Sequence, residues 1–218
     1  MGLDEAARHM WLKCKRCDLH KTRKNVILGR GNGNCDIMFL WEAPDKAEDV
    51  LGRAYLGPAS KLLETMIKTA IEWAGLENED YPLRIYRAYA CACRPCDPST
   101  KESREPDGEE LWACHQRLEW ECKKIANPKK VIFLGSIAKL AGKDLYRDAL
   151  CFTDPWTILR MGGEGCPLAI KFTRDLSQVL KGLHDDRAQE ERTKNVTIGR
   201  LEAAVKKTIT GIIRKRKL

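Results

Sequence analysis

The chain predicts an α/β fold: a central, mainly parallel four-stranded sheet flanked by helices, with a basic helix at the C-terminus. Short apolar runs alternate with segments of helical periodicity, the pattern of a parallel sheet covered on both faces. At 218 residues, with 43% hydrophobic and 32% charged residues, the chain suffices for one sizeable core. No run approaches the roughly 18 apolar residues of a membrane span, so no membrane partner is expected.

The first strand is expected at Asp36–Trp41, the second at Leu83–Ala90, the third at Val131–Leu134 and the fourth at Leu168–Phe172. Between them, Ser60 opens a run with apolar residues at Leu62, Leu63, Met66, Ile67, Ala70, Ile71 and Ala74, which is helical spacing. Glu109–Ile125 is a second helix, and Ser136–Leu145 and Asp175–Leu183 are shorter ones. The polar, Pro-rich stretch from Arg94 to Gly108 reads as a long loop of the kind that is functional or disordered. Residues 187–193 form a charged linker. Beyond it Ile198, Leu201, Val205, Ile209 and Ile212 make one apolar stripe, expected to pack on the body. Two units follow: an α/β domain over 1–186 and a basic amphipathic helical extension over 187–218.

Net charge is +8, and it is concentrated. From Glu191 onward nine Lys or Arg face two Glu, a net +7, leaving 30 basic and 29 acidic residues before it. Lys206, Lys207, Arg214, Lys215, Arg216 and Lys217 carry most of that charge. Contact with a polyanion, most often nucleic acid, and a plain solvated helix face both account for it.

The N-terminus lacks the basic-then-apolar layout of a secretory signal. Its ten cysteines therefore read as thiols or metal ligands in an intracellular, reducing compartment rather than as disulfides. Cys35, Cys151 and Cys166 are expected as small core residues. Cys14-Lys-Arg-Cys17 and the group Cys91, Cys93, Cys96, Cys114 and Cys122 are different. Thiols so far apart in sequence meet only if the fold folds an N-terminal loop onto the middle of the chain, and a metal or an iron–sulfur cluster is the usual reason.

The expected first strand runs straight into Glu42-Ala43-Pro44. Ligands of open parallel sheets bind at the carboxyl ends of strands, so Glu42 is a candidate catalytic or binding carboxylate. Tyr55, between Gly52 and Gly57, offers a flat stacking surface nearby.

Taken in order, Cys-x-x-Cys, the strand ending Glu-Ala-Pro, Glu48-Asp49, Gly52-Arg-Ala-Tyr-Leu-Gly57, Cys93-Arg-Pro and Val131-Ile-Phe-Leu-Gly-Ser136 resemble the family 4 uracil-DNA glycosylases, the iron–sulfur branch of their superfamily. The resemblance covers about residues 10–180. It implies a uracil-DNA-glycosylase-like fold and a [4Fe–4S] cluster held by Cys14, Cys17, Cys93 and Cys114, with Cys96 or Cys122 as substitutes. It implies that Glu42 orients water or stabilises an oxocarbenium-like sugar. Glu48 would crowd the C5 side of a base that Tyr55 stacks upon once the nucleotide has left the helix. DNA is the implied partner and a monomer the implied state.

The departures lie in the base pocket. Where the family has an Asn on the strand before Cys-Arg-Pro, this chain has Tyr89, and a phenol cannot mimic an amide's donor and acceptor. Trp41 replaces a Gly before the Glu-Ala-Pro motif and Asp45 a Gly after it. The family's late His-Pro is missing, with Thr173 expected at or near the His position. One such donor is worth about 10²–10³ in rate, so efficient uracil excision is not expected. Three functions remain: excision of an unusual or modified pyrimidine, group transfer onto such a base, or a catalytically silent DNA-binding module.

Overall fold

The computed structural model describes residues 3–77 and 83–215, with side chains placed for 5–77, 83–194, 197, 198 and 200. Helix α1 spans Leu3–Leu12, and a single 3-10 turn at Asp18–Lys21 follows the first cysteines. Next come β1 (Arg30–Gly31), β2 (Ile37–Trp41), α2 (Lys46–Leu51), α3 (Pro58–Ala74) and β3 (Ile85–Tyr89). Then α4 (Gly108–Trp120) runs on through a wider π-helical turn at Glu121–Ala126. β4 (Lys130–Leu134), α5 (Ser136–Gly142), β5 (Leu150–Phe152), α6 (Pro155–Arg160) and α7 (Pro167–Lys215) complete the fold.

The sheet order is β1-β3-β2-β4-β5. β2 pairs in parallel with both β3 and β4, β4 in parallel with β5, and only the two-residue β1 is antiparallel. Four parallel strands are thus present, as expected, but the fourth is Leu150–Phe152. Leu168–Phe172, expected as that strand, is the opening of α7. Its buried residues Ala169, Phe172, Leu176, Leu180 and Leu183 recur every three or four positions, so an apolar run that looked β-like is one end of a long helical stripe.

Every residue of β2 is buried, as a central parallel strand requires. Ile37, Phe39 and Trp41 face one core with α3, α6 and α7, and Met38 and Leu40 face another with α4 and α5. Because β3 and β4 flank β2 on opposite sides, the chain's winding reverses at β2, and its carboxyl end opens the crevice where α/β proteins bind ligands.

Helix α7 is anchored at the opposite end of the sheet. Asp36, just before β2, is buried and accepts from Arg84 (2.9 and 3.1 Å) and from Arg187 of α7, while Lys129 pairs with Glu190 at 3.1 Å. Residues 187–193, expected as a linker, are helical and continuous with the rest of α7. Ile198, the first residue of the expected packing stripe, is 52% exposed. The side chains of the other stripe residues and of Lys206, Lys207, Arg214 and Lys215 are outside what is described, as are Arg216 and Lys217 entirely.

Leu176→Ala removes a fully buried side chain between α7 and the sheet. A loss of about 2–5 kcal/mol is expected in urea unfolding. A solvent-like cost under about 0.5 kcal/mol would contradict this placement of α7.

Candidate active site and cysteine centre

Glu42 follows β2 directly and opens on a cleft of about 750 Å³. Its walls are the loop to α2 (Ala43, Pro44, Asp45), the outer side of α2 (Lys46, Ala47, Val50, Leu51), the 94–107 loop (Pro95, Ser103, Arg104) and Trp156 of α6. The loop at 94–107 is ordered by its own contacts: buried Arg94 donates to Ser103 Oγ (2.9 Å) and Lys101 O (2.7 Å), and Cys96 bridges Ser103. Glu42 is half-buried, and its carboxyl accepts no hydrogen bond among the described residues. Burial, reinforced by Asp154 and Glu105 and opposed by Arg160, pushes that carboxyl from an ordinary 4.5 up to about 7.

Glu48, Tyr55, Trp41 and Tyr89 gather behind Glu42, in the core rather than on the cleft wall. Asp45 and Glu48 form a capping box at the start of α2, with Asp45 Oδ1 accepting from Glu48 N at 2.8 Å and Glu48 Oε2 from Asp45 N at 2.9 Å. The other Glu48 oxygen accepts from Leu56 N (3.1 Å) and Ser60 Oγ (3.4 Å), and the Tyr89 hydroxyl also bonds this carboxylate. Glu48 is therefore fully engaged inside the protein. Burial still raises its carboxyl above the ordinary range, and the hydrogen bonds oppose the rise.

Tyr89 is wholly buried, and its ring lies on that of Tyr55 with centroids 5.1 Å apart and planes 24° apart. The Tyr55 N–H donates to the Tyr89 hydroxyl at 3.3 Å, and the Tyr55 hydroxyl donates to Ala88 O at 3.1 Å. Tyr55 holds φ at +62°, an uncommon conformation for an aromatic residue, fixed by these bonds. The stacking surface foreseen for a base is thus covered by the chain's own phenol ring. Trp41 packs against Tyr55 with ring centroids 5.8 Å apart and donates its indole N–H to Asp154 at 2.8 Å.

Thr173 is buried within α7 and does not line the cleft. With the fourth parallel strand at Leu150–Phe152, Asp154 stands two residues beyond its carboxyl end, in an Asp-Pro pair. Sequence reasoning missed it because it took a later apolar run as the strand. The signal was present in Phe152-Thr-Asp-Pro155, a short strand ending beside a helix cap. Asp154 caps α6 through Thr157 N (2.9 Å) and Trp156 N (3.3 Å).

Several of the cysteines lie in one neighbourhood of the core. Cys17, Cys91, Cys93 and Cys114 share one apolar group with Trp11, Leu19, Leu28 and Leu111, and Cys17 is in electrostatic reach of Cys14 and Cys114. Arg23 donates to Cys93 Sγ at 3.2 Å and to the Cys14 carbonyl. Burial pushes the Cys93 thiol up to about 12, whereas the Cys91 thiol, 3.9 Å away, and Arg117 hold Cys114 below the ordinary thiol range. The Trp11 indole N–H is buried among these thiols without an acceptor. Four soft sulfur donors with a neighbouring guanidinium and an unsatisfied N–H suit a sulfur-bridged iron cluster. Among the described residues no three His, Cys, Asp or Glu side chains close on a single-ion position. Cys122 lies elsewhere, against Met38 Sδ at 4.0 Å in the core, and Cys96 in its bridge; the fifth thiol beside Cys114 is Cys91.

Tyr89→Phe deletes the hydroxyl that Glu48 and the Tyr55 N–H use. It is expected to cost about 1–3 kcal/mol at pH 7. Because the raised Glu48 is penalised only when ionised, stability already falls as pH rises from its unfolded to its folded value. The mutational loss should therefore shrink below pH 4 in chemical denaturation, and a loss equal at both pH values would contradict this role.

Comparison with known proteins gives the chain its family. Residues 28–184 match the description "Uracil DNA glycosylase superfamily". The type-4 uracil-DNA glycosylase of Archaeoglobus fulgidus is 35% identical over 137 residues, covering 63% of this chain and 61% of that protein. The protein of the same name from Saccharolobus solfataricus is 37% identical over 123 residues (56% and 51%), and that of Thermotoga maritima 34% identical over 126 (58% of each). The matched segments span only about half to three-fifths of these relatives. With its parallel sheet and a carboxylate at the switch point, this chain belongs to the uracil DNA glycosylase superfamily.

Proposed function

We propose that the chain binds DNA and acts on a non-standard or modified pyrimidine turned out of the helix, either excising it or transferring a group onto it, with ordinary uracil excision inefficient. The observation that carries this reading is the division of the site into two parts. The inner stacking position on Tyr55 is taken by Tyr89, while Glu42 still faces an open cleft large enough for a nucleotide. Trp156, Pro44 and Pro95 give that cleft flat apolar walls, and Lys46 gives it positive charge for a phosphate. A half-buried carboxyl with acidic neighbours and no hydrogen-bond partner is costly for stability, which favours a chemical role for Glu42.

The same Tyr55–Tyr89 stack supports a second reading, a catalytically silent DNA-binding module. In either, Cys14, Cys17, Cys93 and Cys114 hold a [4Fe–4S] cluster that ties the N-terminal segment to β3 and α4. Trp41, Glu48, Tyr55 and Tyr89 set the shape behind Glu42. The extension at 187–218, through Lys206, Lys207, Arg214, Lys215, Arg216 and Lys217, anchors the 1–186 body to DNA as a counterion-releasing tail. The protein works as a monomer in a reducing, intracellular compartment. No helix among the described residues is long and apolar enough to cross a membrane.

Oligonucleotides carrying uracil or one of several modified pyrimidines, incubated with the protein and analysed for abasic sites and mass changes, separate the readings. One of the two products is expected, and Glu42→Gln should reduce it about 10²–10⁴-fold. DNA binding without either product would leave the silent module. Anaerobically purified protein should contain about four iron atoms and matching sulfide per chain, lost in Cys114→Ala. Iron-free, fully folded wild-type protein would refute the cluster.

A further inference from the structure

Glu42, on the cleft wall, stands within electrostatic reach of two further carboxyl groups, Asp154 and Glu105, and their placement specifies the substrate class of the site proposed above, on which this inference rests. Asp154 accepts four hydrogen bonds: from Trp41 Nε1 (2.8 Å), Thr157 N (2.9 Å), Thr157 Oγ1 (3.1 Å) and Trp156 N (3.3 Å). These bonds clamp the residue before Glu42 to the first turn of α6, the helix that brings Trp156 into the cleft wall. Glu105 adds a second negative charge from the 94–107 loop. Among the cations, Arg160 opposes them, and Arg104 is engaged by Glu110 at 2.5 and 2.9 Å. Asp45 and Lys46 complete the charged groups on the wall.

A departing uracil takes the electron pair of its glycosidic bond as an anion, and carboxylates repel that charge. A base that is protonated as it leaves departs neutral, and the same carboxylates favour the cationic sugar left behind. We propose that Glu42 is the proton donor to the base and that Asp154 is the positioning residue that keeps it so, which selects an amino-substituted pyrimidine with a basic ring nitrogen over uracil. As the C1′–N1 bond breaks, its electron pair passes to the base, and the Glu42 proton goes to the base's basic ring nitrogen. The carboxylate so formed faces the cationic C1′. Water adds there, and the proton it releases restores the Glu42 acid, so the net reaction is hydrolysis. The lifted Glu42 carboxyl supports this role, since an acid that persists to about pH 7 is poised for proton transfer at neutrality.

The test uses the full chain and oligonucleotides, single- and double-stranded, that carry one uracil, cytosine, 5-methylcytosine or 5-hydroxymethylcytosine, scored for alkali-labile abasic sites from pH 5 to 9. An amino-substituted pyrimidine should be cut at least about tenfold faster than uracil, with the rate falling as pH rises through about 7. Asp154→Asn keeps a cap acceptor but removes the charge, and should move that fall to lower pH. Glu105→Gln should move it in the same direction and carries the comparison if Asp154→Asn does not fold. Preference for uracil, or a fall that stays in place in both variants, would overturn the inference while leaving an enzyme. A mass change without abasic sites would overturn the excision step and leave the group-transfer reading. No product from any base would overturn both this inference and the enzymatic reading.

Discussion

The buried ion pair of Arg117 with Glu121, 2.5 Å apart, joins the parts of this protein that its function needs together. Arg117 Nη2 donates to the carbonyls of Tyr89 and Ala90 at 2.6 and 2.7 Å, fixing the end of β3. Glu121 accepts from Tyr86 at 2.8 Å and from the Gly29 N–H. A Cβ at Gly29 would lie 2.3 Å from that carboxylate, so glycine is required there. Two charges so deeply buried are sustained only because nearly every lone pair and proton has a partner, and removing one member strands the other. One turn before Arg117 on the same helix is Cys114, whose thiol Arg117 helps to hold as thiolate. The cysteine centre, the strand carrying Tyr89 and the chain entering β1 are thereby one rigid unit.

From that unit the site follows by short steps. β3 sets Tyr89 on Tyr55, Tyr89 bonds Glu48, and Glu48 closes the capping box that starts α2. Gly57 permits the approach of Asp45, since a Cβ there would meet its Oδ2 at 2.3 Å. The outer face of α2 then forms one wall of the Glu42 cleft. Trp41, Tyr55 and Tyr89 are packed together as core, and Glu42 beside them lines the open cleft.

Much of the scaffold was legible from spacing alone. The alternation of apolar runs gave β2, β3 and β4, and the stripe after Ser60 gave α3. The types and separation of the cysteines pointed to one shared neighbourhood, which Cys17, Cys93 and Cys114 occupy together with Cys91. The fourth strand was not legible, because Leu150–Phe152 is three residues long and partly exposed, whereas Leu168–Phe172 offers five residues of β-like composition. Only the continuation of its buried positions through Leu183 marks it as helix. That shift hid Asp154, the residue that most alters the site's charge. Tyr89 was recognised as a departure, but whether a large side chain lines a pocket or fills it depends on packing that no local pattern encodes.

The central claim is that Glu42 stands in a protonating, acid-lined environment rather than serving as an ordinary carboxylate. It is tested most directly by following the Glu42 side-chain carboxyl carbon by NMR between pH 4 and 9 in protein labelled at glutamate, with Glu42→Gln assigning the signal. The account predicts a midpoint near 7. A midpoint near the ordinary 4.5 would contradict it.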